Sequence, residues 1–277
     1  MSDAEIGHEV VRVRGGEASG GEDRLAVEEP LEIRLAGHSF AVTMRTPGHD
    51  AELVAGLLFA ERIISTADDL DVIAHYRGPD DDPRLDNVIN VILKGDPGAA
   101  RERLRRSLIA SSSCGLCGKI TIESIRAEAP PVSSDLVVPA SIFERLEQTM
   151  AAAQTTFEKT GGLHAAGLFD GEGRLLVLRE DIGRHNAVDK VVGHMLLSRR
   201  LPLKDHMLMI SGRASYEIMQ KALIARIPIV AAVSAPSSLA VQMAEAADMT
   251  LVGFVRKNGF NLYAGARRVI VGAEELA

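Results

Sequence analysis

The second half of the chain alternates short apolar runs with segments in which apolar residues recur every three or four positions. The runs HMLMIS, IPIVAAVS and MTLVGFV predict buried strands, and the segments Ser215 to Ala225 and Ser237 to Ala247 predict helices. HAAGLFD and RLLVLRED predict a hairpin, followed by a helix from about His185 to Leu197. Apolar strands separated by helices are typical of βαβ units in a covered sheet. We therefore predict an α/β domain over residues 140–277, with FNLYAG as its last strand.

The first half has shorter patterns that predict a smaller α+β domain over residues 24–130. LEIRL and FAVTM alternate apolar and polar positions on either side of Ala36-Gly37, which indicates a β-hairpin. Asp50 is placed to cap a helix that continues to Ile64, and NVINVILK predicts a further strand. Residues 1–23 are rich in Gly and Glu, so we predict a flexible N-terminus with one strand at Glu9 to Arg14.

A segment rich in Pro and Ser, from Pro130 to Pro139, is predicted to link the two halves. A long helix from Ser141 to Lys159 is expected after it, and Gly161-Gly162 is expected to end that helix. The pattern therefore predicts a flexible N-terminus, a smaller α+β domain, a linker and a larger α/β domain, in that order.

Composition and charge narrow the range of functions. Of the 277 residues, 46% are hydrophobic and 25% are charged, which is typical of a soluble globular protein. The net charge of −7 argues against a general nucleic-acid-binding protein, because such a surface needs an excess of basic residues. The chain does not open on a secretory signal, and no apolar run reaches membrane-spanning length. We therefore expect a cytoplasmic protein without nucleic-acid or membrane partners.

Three strand-to-helix junctions of the second half carry polar residues, at the position where α/β sheets usually bind ligands. Gly212 and Arg213 follow one buried strand, and Ser237 and Ser238 follow the next. Free backbone N–H groups, hydroxyls and an arginine suit a phosphate, although ordinary helix capping explains the serines equally well. The third junction, DIGRHNAVDK, is either a ligand site or a solvated helix start, and its polar residues are Asp181, Arg184, His185, Asn186, Asp189 and Lys190.

The two cysteines of the chain, Cys114 and Cys117, lie together in the segment SSSCGLCGK. One C-x-x-C supplies two of the four ligands of a structural zinc site, and the zinc deaminase motifs are absent. A thioredoxin-like dithiol is expected near a first βαβ unit, whereas this motif lies in mid-chain. A glycine-containing loop with Lys119 and several arginines nearby also suits a persulfide carrier, because cations lower the pKa of a thiol. The residues alone leave metal binding, redox cycling and sulfur transfer open.

Long motifs spread over most of the chain resemble a single protein family. They are EEPLEIRLAG, TMRTPGHDAELVAGLLFAE, SSSCGLCGK, TGGLHAAGLF, REDIGRHNAVDKVVG, SGRASYEIMQKA, SAPSSLAV and GFVRKNGFNLYAG. In this order they are similar to the FdhD family, the sulfurtransferases required for formate dehydrogenase activity. The resemblance covers nearly the whole chain from about Arg24, and several long motifs in one order are far more specific than a lone C-x-x-C.

This resemblance implies a fold, an activity and partners. The C-terminal part is expected to resemble the cytidine deaminase fold without the deaminase zinc motif. The protein is expected to take sulfur from a cysteine desulfurase and pass it to the molybdenum bis(pterin guanine dinucleotide) cofactor, before that cofactor is inserted into formate dehydrogenase. A homodimer is expected as well. The alternative is a chaperone that only holds the cofactor and has a metal-binding or redox C-x-x-C.

The resemblance also implies roles for individual residues. Cys114 is expected to form the persulfide, and Cys117 to accept or relay sulfur. The expected cofactor-binding stretch consists of Phe254, Val255, Arg256, Lys257, Asn258 and Gly259. To it we add, as our own inference, the junction residues Gly212, Arg213, Ser237, Ser238, Arg184 and His185. No metal-binding residue is expected.

Overall fold

The computed structural model describes residues 4–76, 87–95 and 130–272. Within these ranges the chain forms strands and helices that alternate regularly only in the second half. In chain order the elements are β1 (Glu5–Arg14), β2 (Glu17–Ala26), β3 (Glu29–Leu35), β4 (His38–Arg45), α1 (Asp50–Ala60), β5 (Leu70–His75), β6 (Val88–Leu93), β7 (Val138–Pro139), α2 (Ile142–Ala153), α3 (Thr155–Thr160), β8 (His164–Asp170), β9 (Leu175–Asp181), α4 (Arg184–Leu197), β10 (His206–Ile210), α5 (Tyr216–Ile224), β11 (Ile229–Ala232), α6 (Ser238–Ala246), β12 (Thr250–Arg256), β13 (Gly259–Ala264) and β14 (Val269–Ile270).

The main sheet has six strands in the order β13-β12-β11-β10-β8-β9. Its central strands β10, β11 and β12 are parallel, whereas β8 and β13 pair antiparallel with their neighbours. The hairpin of β8 and β9 is also antiparallel, so β9 runs in the same direction as β10. The succession of strands and helices predicted for the second half is therefore confirmed, in a mixed sheet.

The central strands are apolar on both faces because helices cover both faces of the sheet. In β10, Leu208 and Ile210 belong to the core cluster that also contains the buried residues of α4 and α5. Met207 and Met209 point to the opposite face and share a second cluster with Phe143 of α2. Successive side chains of a strand alternate between faces, so two covered faces require a continuous apolar run.

A four-stranded sheet in the first half has the order β4-β3-β6-β5. Its inward residues Leu31, Ile33 and Leu35 are buried and alternate with partly exposed positions, and the predicted hairpin of β3 and β4 is confirmed. These residues belong to the same core cluster as α4 and α5. One continuous core therefore joins the described residues of the two halves.

Helix α1 is held against α4 by two glycines at the crossing point. A Cβ atom at Gly193 would lie 1.8 Å from the carbonyl oxygen of Glu52, and one at Gly56 would lie 1.9 Å from the carbonyl oxygen of Asp189. Any larger residue would push the backbones apart, since real Cβ contacts never come so close. The crossing places the first half directly on the helix that carries Arg184 and His185.

Several local predictions need correction. The N-terminal residues form a hairpin of two ten-residue strands, β1 and β2, so the predicted strand from Glu9 to Arg14 is confirmed within β1, whereas its partner strand was not predicted. The hairpin forms because the backbone of β2 makes hydrogen bonds with β1 although β2 is rich in Gly and Glu. The strand β5 had no sequence prediction, and the predicted interdomain linker contains the short strand β7, which pairs with β14.

Two helix boundaries also differ from the prediction. Helix α1 ends at Ala60, and its N-cap is His49, because Asp50 turns inward and binds Arg45 instead of capping. The long helix predicted after Pro139 is divided into α2 and α3 at Gln154. Gly161 ends α3 with a left-handed φ of 66°, as the glycine pair indicated.

Candidate functional site

The carboxyl ends of four strands meet at one edge of the main sheet. These are β9, β10, β11 and β12, which all run in the same direction. The segments that leave them touch: the backbone N–H of Ala214 donates to the carbonyl of Ala235 at 3.2 Å, and that of Phe254 donates to the carbonyl of Ser234 at 3.2 Å. This edge therefore brings together the polar junctions and the GFVRKNG segment, which are far apart in the sequence.

Arg184 begins α4 and lies beside His164 and Gly212. A Cβ atom at Gly212 would lie 3.4 Å from Nδ1 of His164 and 3.5 Å from the Cβ of Arg184. The Nε of Arg184 is buried and has no hydrogen-bond partner in the part of the chain that the structure describes. Burial, together with the charges of Arg184 and His185, lowers the pKa of His164 below its usual value. A cationic N–H beside a neutral imidazole suits an anionic or strongly polar ligand.

His185 is fixed against helix α5 by two partners. Its Nε2 lies 2.8 Å from Oε2 of Glu217 and 3.2 Å from Oγ of Ser215. The hydrogen bond with His185 lowers the pKa of Glu217. Because both partners contact the same ring nitrogen, the three residues do not form a hydrolytic triad, in which hydroxyl and carboxylate use opposite nitrogens. His185 is thus a positioned polar group at the edge, and Ser215 is not activated through it.

Two other charged residues of DIGRHNAVDK are buried and hold the two halves together. Nζ of Lys190 lies 2.7 Å from Oδ2 of Asp181, and these side chains are 1% and 0% exposed. Lys190 also donates to the carbonyl of Thr46 at 2.9 Å, while Asp181 accepts from the N–H of Thr46 at 3.3 Å. Thr46 directly follows β4, so this ion pair connects α4 with the first half.

The remaining polar residues of that motif are also engaged in structural contacts. The side-chain amide of Asn186 donates to the Met44 carbonyl at 2.8 Å and to Asp181 at 2.9 Å. Asp189 is buried, and its Oδ1 lies 2.6 Å from Nζ of Lys221 on α5. Of the charged residues in this motif, only Arg184 and His185 therefore remain at the edge as candidates for ligand binding.

The other two predicted junctions also lie at this edge. Arg213 is exposed and makes no hydrogen bond or ion pair with any described residue, whereas the neighbouring Gly212 is buried. The Oγ of Ser237 accepts a hydrogen bond from the N–H of Ala240 at 3.2 Å and so caps α6. Ser238 is the first residue of α6 and is exposed. The cap satisfies one N–H of the helix start, and the first turn carries no acidic residue.

The GFVRKNG segment forms the end of β12 and its turn into β13. Phe254 is 43% exposed and has a positive φ of 54° within an irregular pairing of the two strands, while Val255 is buried. Nη1 of Arg256 donates to the carbonyl of Val255 at 2.8 Å and also to that of Val233, which follows β11. Lys257 and Asn258 form the exposed turn, and Gly259 begins β13 with a φ of 142°. An exposed aromatic residue and an arginine, two positions apart in the sequence, therefore both lie at the edge.

A cavity of about 480 Å³ opens beside this edge, between the sheet and the helices α2 and α3. Its wall on the sheet side includes His164, Ser211 and Val233. Its wall on the helix side includes Glu147, Gln154 and Phe157, which sequence reasoning did not single out. The sequence carries only a weak signal for this wall, because one carboxylate and one amide on an amphipathic helix are typical of an ordinary surface. Their place in a cavity becomes visible only when the position of the sheet is known.

Several sequence-based predictions lie outside the described residues. Cys114 and Cys117 belong to this group, as does the loop SSSCGLCGK that carries them. Among the residues that are described, no group of three or more His, Cys, Asp or Glu is arranged to hold a metal ion. None of the described helices is long and apolar enough to cross a membrane.

The fold and the edge together define a mixed α/β protein with a cationic edge and an adjoining cavity. The FdhD/NarQ family model matches residues 26–270, and the chain belongs to this family. It is 47% identical over 274 residues to the sulfur carrier protein FdhD of Streptomyces avermitilis, with 95% of each chain covered. It is 48% identical over 251 residues to the sulfur carrier protein FdhD of Nocardia farcinica, covering 90% of this chain and 88% of the relative.

A solved structure has the same fold. It is the crystal structure of a protein described as a formate dehydrogenase accessory protein, from Desulfotalea psychrophila. The two chains superpose with a TM-score of 0.74 at 26% sequence identity, and the match covers 97% of this chain and 100% of the other. The family predicted from the motifs is therefore confirmed.

Proposed function

We propose that this protein is a sulfur carrier that accepts persulfide sulfur from a cysteine desulfurase and transfers it to a molybdenum bis(pterin guanine dinucleotide) cofactor. The sulfurated cofactor then serves formate dehydrogenase. One observation carries the proposal: the chain is 47% identical over nearly its whole length to a relative named sulfur carrier protein. The cationic edge supports it, because the cargo is anionic.

The proposed acceptor is Cys114. Its thiolate attacks the terminal sulfur of the donor persulfide, so a new S–S bond forms at Cys114 and the donor cysteine leaves as a thiolate. Delivery to the metal as sulfide requires two electrons. Cys117 supplies them by attacking the Cys114 sulfur, which leaves a disulfide and releases the terminal sulfur as sulfide. The family resemblance supports Cys114 as the residue that forms the persulfide and Cys117 as a residue that accepts or relays sulfur.

The proposed cargo site is the edge of the main sheet. The three arginines Arg184, Arg213 and Arg256 stand at the ends of different strands and offer charge-assisted hydrogen bonds to phosphate oxygens. The start of α6 adds backbone N–H groups. The other proposed contacts are His185, Gly212, Ser237, Ser238, Phe254, Val255, Lys257, Asn258 and Gly259. The net charge of −7 makes such a local cationic surface necessary for a phosphate-bearing cargo.

The family resemblance supports further parts of the proposal. We assign the protein to the cytoplasm, as a homodimer, with a main sheet of the cytidine deaminase type. The division into residues 24–130 and 140–277 after a separate N-terminal segment is retained as a proposal. The continuous core means that these two parts, where described, fold against each other.

The test is a persulfide assay on the purified full-length protein. The protein is incubated with a cysteine desulfurase and cysteine, and its intact mass is then measured with and without reductant. We expect a reducible gain of sulfur that maps to Cys114 and is absent in Cys114→Ser, while Cys117→Ser still gains sulfur but fails to release it as sulfide. If a competent donor adds no sulfur to free thiols, the carrier function is wrong, and a chaperone that only holds the cofactor becomes the better description.

A further inference from the structure

The hairpin of β1 and β2 is a two-stranded arm that pairs with no other described strand. Its register runs from the pair Glu5 and Ala26 at the base to the pair Arg14 and Glu17 at the turn. The base is held by α3, where Nζ of Lys159 lies 2.9 Å from Oε1 of Glu5. An isolated two-stranded ribbon is at best marginally stable in water, because it has no core of its own. The arm therefore needs a further surface on which to pack.

The half of the arm near its turn has one apolar face. Val11 and Val13 are two positions apart, so they point to the same side of β1, and they are 72% and 67% exposed. According to the register of the hairpin, no charged side chain shares this face between Val11 and the turn. An exposed apolar face without charges is typical of a protein–protein contact rather than of a solvated strand.

A second apolar surface is uncovered on the four-stranded sheet of the first half. Leu31 and Ile33 face the core, so the alternate residues of the sheet form its outer face. The large apolar side chains exposed there are Val42, Met44, Val72, Tyr76 and Ile92. Between the outer strands of this sheet, Glu32 and Arg34 of β3 form an ion pair at 2.9 Å. The outer face is therefore largely apolar, and its central charges neutralise each other.

The two surfaces do not cover each other within one chain, because both are exposed in the same structure. Only two residues join β2 to β3, and the base of the arm is fixed to α3 in the second half. The outer face of the sheet is turned away from the core that joins the two halves. A second copy of the chain is the partner that supplies both missing surfaces at once, since each copy then offers an arm and accepts one.

The size of the arm is sufficient for a stable dimer. A ribbon of two ten-residue strands is about 33 Å long and about 10 Å wide. In a dimer with twofold symmetry the contact of arm and sheet occurs twice, so it buries up to about 1,300 Å² in total. Specific and stable interfaces begin at about 1,200 Å².

We propose that the arm of one chain lies, through Val11 and Val13, on the outer face of the four-stranded sheet of a second copy, and that two exchanged arms hold the homodimer together. The inference rests on the homodimer of the proposed function and names its two surfaces. The family model begins at residue 26, so the arm precedes the part of the chain that this model matches.

The test measures self-association of the purified full-length protein by sedimentation velocity over a range of concentrations. We expect a dimer whose Kd rises at least about tenfold in Val13→Asp and in Val42→Asp, because each substitution places a charge in an apolar contact. Val271→Asp is the matched control. Val271 is 71% exposed but belongs to neither surface, so its substitution should leave the Kd unchanged.

A mixture of the two variants distinguishes exchanged arms from other dimers. A chain with Val13→Asp keeps an intact sheet face, and a chain with Val42→Asp keeps an intact arm. A heterodimer of the two therefore has one undamaged contact, whereas each variant homodimer has none. We expect the mixture to dimerise more tightly than either variant alone.

Every other outcome overturns the inference. These outcomes are a monomeric unsubstituted protein, a dimer that only one substitution or neither weakens, and a mixture that associates no better than its components. Far-UV circular dichroism checks that the variants are folded, and Val11→Asp or Met44→Asp replaces one that is not. Persulfide formation at Cys114 is measured on the same samples and is expected in all of them, so a failed arm contact is distinguished from a failed carrier function.

Discussion

Lys190→Met should destabilise the protein far more than any exposed charge substitution. Nζ of Lys190 lies 2.7 Å from Oδ2 of Asp181, and both side chains are almost completely buried. Lys190 also donates to the carbonyls of Thr46 at 2.9 Å and Glu180 at 3.3 Å. Methionine has a similar length but no charge, so the substitution leaves a buried carboxylate and two carbonyl oxygens without their cation.

The expected cost follows from the contacts that remain. Removing one partner of a buried ion pair typically costs about 3–5 kcal/mol, because the other charge stays buried and uncompensated. Asp181 keeps hydrogen bonds from the N–H groups of Thr46 and Gly183 and from the side chain of Asn186. These bonds place the expected loss near the lower end, at about 3 kcal/mol, which is a large part of an ordinary domain stability of about 5–15 kcal/mol.

The assay is urea denaturation followed by far-UV circular dichroism, since the chain contains no tryptophan for fluorescence. Lys159→Met is the control: Lys159 forms an exposed ion pair with Glu5 at 2.9 Å, so its loss should cost less than about 1 kcal/mol. The double variant Lys190→Met with Asp181→Asn should recover part of the stability, because the stranded charge is then removed. If Lys190→Met costs no more than Lys159→Met, the buried pair does not hold the two halves together and the reasoning is wrong.

Three further predictions concern the helix crossing, pH and the edge. Gly193→Ala should lower the unfolding free energy by about 1–3 kcal/mol because its Cβ meets backbone, whereas Gly20→Ala, with open space around it, should not change the urea midpoint. Burial raises the pKa of the Glu52 carboxyl. The hydrogen bonds that Glu52 accepts from His49 and from its other partners have a larger effect and lower this pKa below its ordinary value of 4.5. A carboxyl whose pKa is lowered in the folded state stabilises the protein at pH values above its unfolded pKa, so the unfolding free energy should fall as the pH drops below about 4.5. In a series of urea denaturations at decreasing pH, the unfolding free energy of Glu52→Gln should decline less steeply than that of the unsubstituted protein. Arg184→Met should weaken inorganic pyrophosphate binding about tenfold in calorimetry at an unchanged urea midpoint, and undiminished binding would exclude Arg184 from the anion site.

Local sequence patterns were enough to predict the class of the fold in the second half and to identify the family. Apolar runs such as HMLMIS are local signals, because a strand buried on both faces must be apolar at successive positions. Long motifs in a fixed order are equally local, so the family could be identified without coordinates. The pairing of β1 with β2 was missed, because a Gly- and Glu-rich strand is stabilised by backbone bonds to its neighbour rather than by its own residue types.

The folded structure was needed to show which residues of DIGRHNAVDK are structural and which are available to a ligand. Asp189 and Lys190 differ from His185 only in the partners that the fold brings to them: Lys221 from the next helix, and Thr46 from the first half of the chain. Likewise, Glu147 lines a cavity only because the edge of the main sheet lies opposite helix α2. A local pattern records which residue types are present, whereas burial and pairing depend on segments that lie more than a hundred residues apart, as Thr46 and Lys190 do.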